Sequence, residues 1–318
     1  MTAQLPLLRR YPALADIPRA SFGAFPTPVQ SVTMPGGALM IKRDDLSGTA
    51  IGGNKVRGLE WLLGDVQPNQ RVLTVGPRGS THGLATAVCT RQLGARATIV
   101  RWNQRMNDAA RRVDARLTRA GTVFDAIWVA AAYSVAGSLR LLPRVRWIGA
   151  GGATPLAILG HANAALELIE QVARRECALP STVFVPLGTG GTAAGLALGF
   201  RIAGVSTRVV AVRVVPKAVG RLERVLRLAH ATARLIERRT GERVPRVTPM
   251  DLRVEHAFYG GKYGKPLREA LDERPLQFTG IRLDDTYSRK AFAAATAHVA
   301  SGAERTMFWL TFDGRLLA

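Results

Sequence analysis

The 318-residue chain contains six lysines (Lys42, Lys55, Lys217, Lys262, Lys265 and Lys290), and one of them stands where an amine can do chemistry. Lys55 follows two glycines in Gly52-Gly-Asn-Lys-Val-Arg57 and precedes the apolar positions Leu59, Trp61, Leu62 and Leu63, which predicts a helix that begins at the lysine. The partial positive charge of a helix N-terminus favours a lowered amine pKa, and with it a better nucleophile or Schiff-base former. Taken alone, the same motif is also compatible with a surface lysine after a loop. A second junction, Gly79-Ser-Thr-His-Gly83, would present backbone N–H groups and two hydroxyls at a helix start, a receptor suited to a carboxylate. Ser80 or Thr81 could equally be an ordinary N-cap, and the two roles are compatible. The third junction, Gly188-Thr-Gly-Gly-Thr-Ala-Ala-Gly195, is a glycine-rich loop whose N–H groups and threonine hydroxyls could wrap a phosphate. No acidic residue lies between Gly195 and Glu223, as a dinucleotide fingerprint would require, and no lysine follows the last glycine as in a P-loop. A single phosphate monoester fits better than a dinucleotide or ATP.

Regular elements must hold these junctions. Arg71 to Val75 reads as a short strand that runs into Gly76-Pro-Arg-Gly-Ser80, followed by a helical pattern from Thr81 to Leu93. Ala97 to Arg101 is the next strand. Val183 to Leu187 enters the Gly188 loop, helix-forming composition resumes at Ala193, and Val209 to Val215 is a further strand. Strands separated by helices imply βαβ units, hence an α/β protein with mainly parallel sheets and ligands at the carboxyl ends of strands. Composition agrees: 47% hydrophobic residues in 34.2 kDa suffice for one large core or two smaller ones, and 32 glycines with 6% aromatics exclude a coiled coil or a collagen.

The longest mostly apolar run, Ala126 to Gly137, is too short to span a bilayer. The start, MTAQLPLLRRYP, lacks the pattern of a secretory leader, which predicts a cytoplasmic protein with no membrane association. Cys89 and Cys177 have no Cys-x-x-Cys pairing and no clustered histidines, so both are expected in the core, with neither a metal site nor a disulfide framework. The net charge of +21 brings nucleic acid to mind. Residues 201 to 247 alone hold twelve basic and three acidic residues, yet the middle of this stretch reads as an amphipathic helix. Leu222, Val225, Leu226 and Ala229 form its apolar stripe, and Arg221, Arg224 and Arg227 lie beside it as a solvated face. Without a Cys/His finger or basic-aromatic interleaving, a nucleic-acid-binding protein remains the rival reading from a different class.

A Schiff-base lysine, a carboxylate loop and a monophosphate cup are together what a pyridoxal phosphate (PLP) enzyme requires. The chain resembles the fold type II PLP enzymes (tryptophan synthase beta-like), in the D-cysteine desulfhydrase and 1-aminocyclopropane-1-carboxylate (ACC) deaminase branch. The resemblance runs in order through Phe25-Pro-Thr-Pro28, Lys42-Arg-Asp-Asp45, Gly52-Gly-Asn-Lys-Val-Arg57, Ser80-Thr-His82 and Gly151-Gly-Ala-Thr-Pro155 with Gly160. It continues through the Gly188 loop, Tyr263-Gly-Lys-Pro266 and Leu283-Asp-Asp-Thr-Tyr-Ser288.

The resemblance implies a large PLP-binding domain (1–49 and 155–318), a small inserted αβ domain (50–154), and a homodimer. It gives Lys55 the roles of cofactor-bearing residue and base on Cα, with Asn54 and Thr81 beside the cofactor. Ser80, Thr81 and His82 become the substrate-carboxylate loop, and Gly188, Thr189, Gly190, Gly191 and Thr192 hold the phosphate. Tyr263 and Tyr287 match two active-site tyrosines, with Tyr259 a competitor for the first; Ser288 takes the position facing the pyridine nitrogen and Thr311 lies on the same side. There are departures. Thr81 stands where the family has Asn, Gly79 where it has Gln, and Leu310-Thr-Phe-Asp313 where it has His-Thr-Gly-Gly. A neutral Ser288 in place of a glutamate implies β-elimination from a small amino acid, D-cysteine first, giving pyruvate, ammonia and sulfide. ACC deamination and β-replacement are the alternatives within the family.

Overall fold

The computed structural model describes residues 4–267 and 271–317. Two separate sheets organise them. The larger uses β1 (Val29–Met34), β2 (Gly37–Arg43), β7 (Thr182–Leu187), β8 (Arg208–Arg213), β9 (Leu252–Glu255) and β10 (Thr306–Leu310), in the order β1-β2-β10-β7-β8-β9. The smaller uses β3 (Arg71–Pro77), β4 (Arg96–Trp102), β5 (Thr122–Ala126) and β6 (Val145–Ile148), in the order β5-β4-β3-β6. The hairpin β1–β2 pairs antiparallel, and every other ladder is parallel. The βαβ expectation therefore holds for both sheets.

The strands read from the sequence occur with slightly different ends. The first runs on to Pro77 and the second to Trp102, because those two residues still pair across the ladder, whereas the strand expected to reach Val215 stops at Arg213. The helices are α1 (Pro6–Arg10), α2 (Lys55–Leu62), α3 (Thr81–Gln92), α4 (Asp108–Ala120), α5 (Val129–Leu139), α6 (Pro155–Ala173), α7 (Gly191–Ile202), α8 (Leu222–Thr240) and α9 (Ser288–Ala300).

One core packs α6, α7 and α8 on the larger sheet through Ile158, Leu168, Val185, Leu196, Val225 and Trp309. A second packs α9 on its other face through Phe184, Phe292 and Phe308. A third joins Val56, Leu59, Leu84, Ile99 and Leu117 on the smaller sheet, and Phe312 and Leu316 from the end of the chain return to it. Cys89 is buried in this third core, but Cys177 is only half-buried at the edge of the first, which corrects its expected core position. Among the described residues no helix is long and apolar enough to cross a membrane.

Candidate active site

In each sheet the chain reverses its direction of strand addition once, between β3 and β6 in the smaller and between β10 and β7 in the larger. Open parallel sheets bind ligands at such switch points, beyond the carboxyl ends of the strands. A cavity of about 700 Å³ lies there, lined from both sheets. Pro77 closes β3 and Ser80, Thr81 and His82 follow it, Trp102 closes β4 and Gln104 follows it, and Gly149 follows β6. From the larger sheet come Gly188 to Thr192 after β7, Val215 and Pro216 after β8, and Thr311 and Phe312 after β10.

Lys55, the first residue of α2, lines this cavity, and burial brings its amine down to about 8. The loop that delivers it is held from the end of the chain. Thr311 O accepts from Asn54 N at 3.1 Å, and Asp313 Oδ2 accepts from Gly52 N at 2.8 Å. Gly53 has φ +97°, and a Cβ there would meet Thr311 O at 2.7 Å, so only glycine passes this point. The altered Phe312-Asp313 pair thus has work to do: Phe312 forms cavity wall while Asp313 anchors the lysine loop. Asn54 Nδ2 donates to Thr192 Oγ1 at 2.6 Å, which ties the lysine directly to the glycine loop.

Two residues on from Lys55, Arg57 is buried between Asp44 and Glu167, at 2.8 Å from each. Lys42 also meets Glu167, at 2.6 Å, and Trp309 Nε1 donates to Asp44 at 2.8 Å. Burial alone would raise the Asp44 and Glu167 carboxyls, but the cations beside them, Arg57 foremost, hold both below their ordinary values. The Lys42-Arg-Asp-Asp45 and Lys-Val-Arg57 motifs meet here in one ionic network that fixes the direction of α2.

Gly188 to Thr192 form a cup at the start of α7. Gly190 adopts φ +96°, and its missing side chain admits Val225 of α8, whose Cγ2 would stand 3.2 Å from a Cβ. Across the cavity, Ser80 caps α3, its Oγ accepting from Gly83 N at 3.2 Å, so the N-cap role expected of it is realised at the cavity wall. His82 Nε2 lies 3.1 Å from Thr74 Oγ1, and the backbone of Gly149 also engages the ring. Burial, with Lys55 nearby, lowers this histidine to about 3, so it is uncharged.

Tyr263 and Tyr287 line the cavity together, their rings edge to face at 6.0 Å and their hydroxyls hydrogen-bonded to each other. Burial pushes Tyr263 up to about 12 and Tyr287 well above its ordinary value. Tyr259 instead stacks under Arg213 at 4.0 Å and does not line the cavity, which separates the two competitors. Ser288 is the first residue of α9 and wholly buried. It is not part of the cavity lining, and its backbone N–H donates to the buried Asp284 carboxylate at 2.9 Å. Thr311 does line the cavity.

Sequence reasoning overlooked Trp102, Gln104, Tyr133 and Arg224 in the lining. The first two could have been found, since they sit at or just beyond the end of an expected strand. Arg224 could not, because its place in the polar stripe of an amphipathic helix marks it as solvated, whereas α8 turns it toward the cup, Nε 3.5 Å from Thr189 O.

The fit of a phosphorylated pyridine aldehyde to this site can be judged from the groups present. There is a buried amine of lowered pKa for the aldehyde and a glycine-rich cup at a helix start, with threonine hydroxyls, for the phosphate. They suit PLP, and fold and site define a PLP-dependent enzyme of the α/β fold type II kind.

A family model described as "Pyridoxal-phosphate dependent enzyme" matches residues 20–311. The chain is 32% identical over 295 residues to a putative 1-aminocyclopropane-1-carboxylate deaminase of Pyrococcus furiosus, covering 88% of this chain and 86% of that one. It is 29% identical over 305 residues to a D-cysteine desulfhydrase of Serratia proteamaculans, covering 90% of each. A crystal structure of an ACC deaminase homologue superposes with a TM-score of 0.80 at 28% identity, over 99% of both chains. The chain belongs to the PLP-dependent enzymes, in the group that holds the ACC deaminases and D-cysteine desulfhydrases, and its cofactor is pyridoxal phosphate.

Proposed function

We propose that this enzyme cleaves small β-substituted amino acids by β-elimination, D-cysteine first, adding water to yield pyruvate, ammonia and hydrogen sulfide. The observation that carries this reading is the make-up of the cavity wall. Among the described lining residues there is no aspartate or glutamate, and Ser288, which the resemblance sets toward the ring nitrogen, is a neutral residue buried behind that lining. A bound PLP supplies the electron sink for the pair left at Cα, and a ring with no carboxylate partner is the weaker sink. Such a sink suffices when a good leaving group departs from Cβ and falls short for a cyclopropane, which has no Cα proton and a carbon leaving group.

In this reading Lys55 carries the cofactor and its freed Nζ takes the Cα proton. Ser80, Thr81 and the N–H groups opening α3 receive the substrate carboxylate, with uncharged His82 shaping that end. Tyr263, kept protonated at neutral pH by burial, gives its hydroxyl proton to the departing sulfur, and Tyr287 holds that hydroxyl in place. Gly188 to Thr192 hold the phosphate with Asn54 beside the cofactor, Thr311 borders the ring, and Ser288 backs it from behind the cavity lining. The division into residues 1–49 with 155–318, and 50–154, follows the two sheets, and we propose it as the division into domains, in a homodimer.

The second reading, ACC deamination, is favoured by the likeness to the putative ACC deaminase of Pyrococcus furiosus and to the solved ACC deaminase homologue. A panel of D- and L-cysteine, β-chloroalanine and ACC, assayed for keto acid, ammonia and thiol on protein sedimenting as a dimer, tests both. Pyruvate and sulfide from D-cysteine with little or no 2-oxobutanoate from ACC is expected. Efficient 2-oxobutanoate release would overturn the elimination reading in favour of the second, and consumption of an added nucleophile without keto acid would point to β-replacement.

A further inference from the structure

We infer that Arg224 is a direct charge partner of the cofactor phosphate, closing the cup of residues 188 to 192 from the side of α8. The charge inventory of the cavity leads there. Among the described lining residues the cations are Lys55 and Arg224, His82 being neutral, and no carboxylate accompanies them. Lys55 is committed to the aldehyde end of the cofactor. The cup itself offers only neutral donors, N–H groups and the hydroxyls of Thr189 and Thr192, to a group that carries nearly two negative charges at pH 7.

Arg224 is half-buried in the first turn of α8. It makes no ion pair with any described residue, and its one protein hydrogen bond is the long one from Nε to Thr189 O, 3.5 Å, inside the cup sequence. Arg224 lines the cavity, and its Nη donors have no acceptor among the described residues, the condition in which a guanidinium takes a phosphate oxygen. The helix that carries it cannot drift from the cup. The empty space at Gly190 is filled by Val225 and Leu228 of the same turns, 3.2 and 3.5 Å from where a Cβ would stand. Of the arginines that α8 carries, Arg224 is the one among the described lining residues, so this is one residue recruited from a basic face.

The inference separates PLP from pyridoxal, which lacks the phosphate. Apoprotein of wild type, Arg224→Gln and Arg224→Lys is titrated with each compound, following cofactor absorbance. Losing a charge-assisted hydrogen bond should weaken PLP binding by about tenfold or more in Arg224→Gln while leaving pyridoxal unchanged, with Arg224→Lys recovering part of the loss. Equal weakening of both compounds would assign Arg224 a merely structural role and overturn the inference. So would unchanged PLP binding accompanied by a raised KM for an acidic substrate, which would place the guanidinium on the substrate instead. Phosphorus NMR of the wild-type holoenzyme gives a readout that does not depend on the variants folding. The bound phosphate should stay dianionic well below its free second pKa of about 6; a resonance that titrates near the free value would refute the contact.

Discussion

An isolated lysine amine is almost wholly protonated at pH 7, and a protonated amine cannot attack an aldehyde. Burial relieves part of this for Lys55 by bringing it to about 8, which raises its neutral fraction at pH 7 by orders of magnitude over a free lysine. The sequence pointed to the positive end of α2 as the cause, and desolvation in the cavity turns out to be the larger effect. The sign of the consequence is definite. Below about 8 the reactive, neutral fraction of Lys55 falls roughly tenfold per pH unit, and above it the fraction saturates. Cofactor uptake by the apoprotein, followed by the growth of visible-region absorbance, should accordingly rise with pH toward 8 and level off beyond. Borohydride should trap the cofactor on Lys55, and Lys55→Ala should stay colourless. An uptake rate flat from pH 6 to 9, or a visible band surviving in Lys55→Ala, would contradict the assignment. His82 does not blur this profile, since it remains neutral across the range.

The segment between β9 and α9 brings two tyrosines against residues carried with the smaller sheet, and Asn107 makes contacts between the two. Its Oδ1 caps α4 by accepting from Ala110 N at 2.8 Å. Its Nδ2 reaches across to donate to Gly264 O at 3.2 Å and Thr286 Oγ1 at 3.0 Å, the residues next to Tyr263 and Tyr287 respectively. The two functions of one amide can be separated. Asn107→Asp keeps the acceptor that caps the helix and loses the donor that crosses between the sheets, so it should retain stability and cofactor absorbance but lose turnover. Asn107→Ala should lose turnover and, in addition, about 1 kcal/mol of stability. Thermal unfolding beside kcat measures both. Full turnover in Asn107→Asp would show that the tyrosines hold their places without it. Thr286, Tyr287 and Ser288 are also fixed from below, because the buried Asp284 carboxylate accepts their three backbone N–H groups at 2.9 Å.

Over the whole molecule, the network of Arg57, Asp44, Glu167 and Lys42 joins β2, α2 and α6, and through Trp309 reaches β10. Its members are buried to within a few per cent, so none can find water when a partner is removed. Arg57→Met would leave two carboxylates facing Lys42 alone, and should cost about 3–5 kcal/mol in chemical denaturation. A loss below 1 kcal/mol would mean that the cavity-bearing ends of the sheets are held together by apolar packing alone. The net charge of +21 has no comparable structural partner, and many of the arginines lie at the surface. It predicts only salt-sensitive retention on polyanions, the same in wild type and Lys55→Ala.

The sequence by itself determined the βαβ alternation, the strands that enter the glycine junctions, the lysine that opens α2 and the glycine loop that opens α7. Each rests on neighbours in the chain: periodicity, a helix start, a run of glycines. It was also enough to single out Tyr263 and Tyr287, though not to choose between Tyr263 and Tyr259. Tertiary structure made that choice by turning Tyr259 against Arg213 and bringing Tyr263 to Tyr287. It gave Asp313 its hold on Gly52 across 261 positions of sequence, and it placed Ser288 behind the cavity wall instead of on it. It also turned Arg224 from a solvated stripe toward the cup. Contacts of that kind depend on which strand ends the two sheets bring face to face. Local patterning records whether a residue is apolar or polar along its own element, but it carries no account of what the opposite element presents.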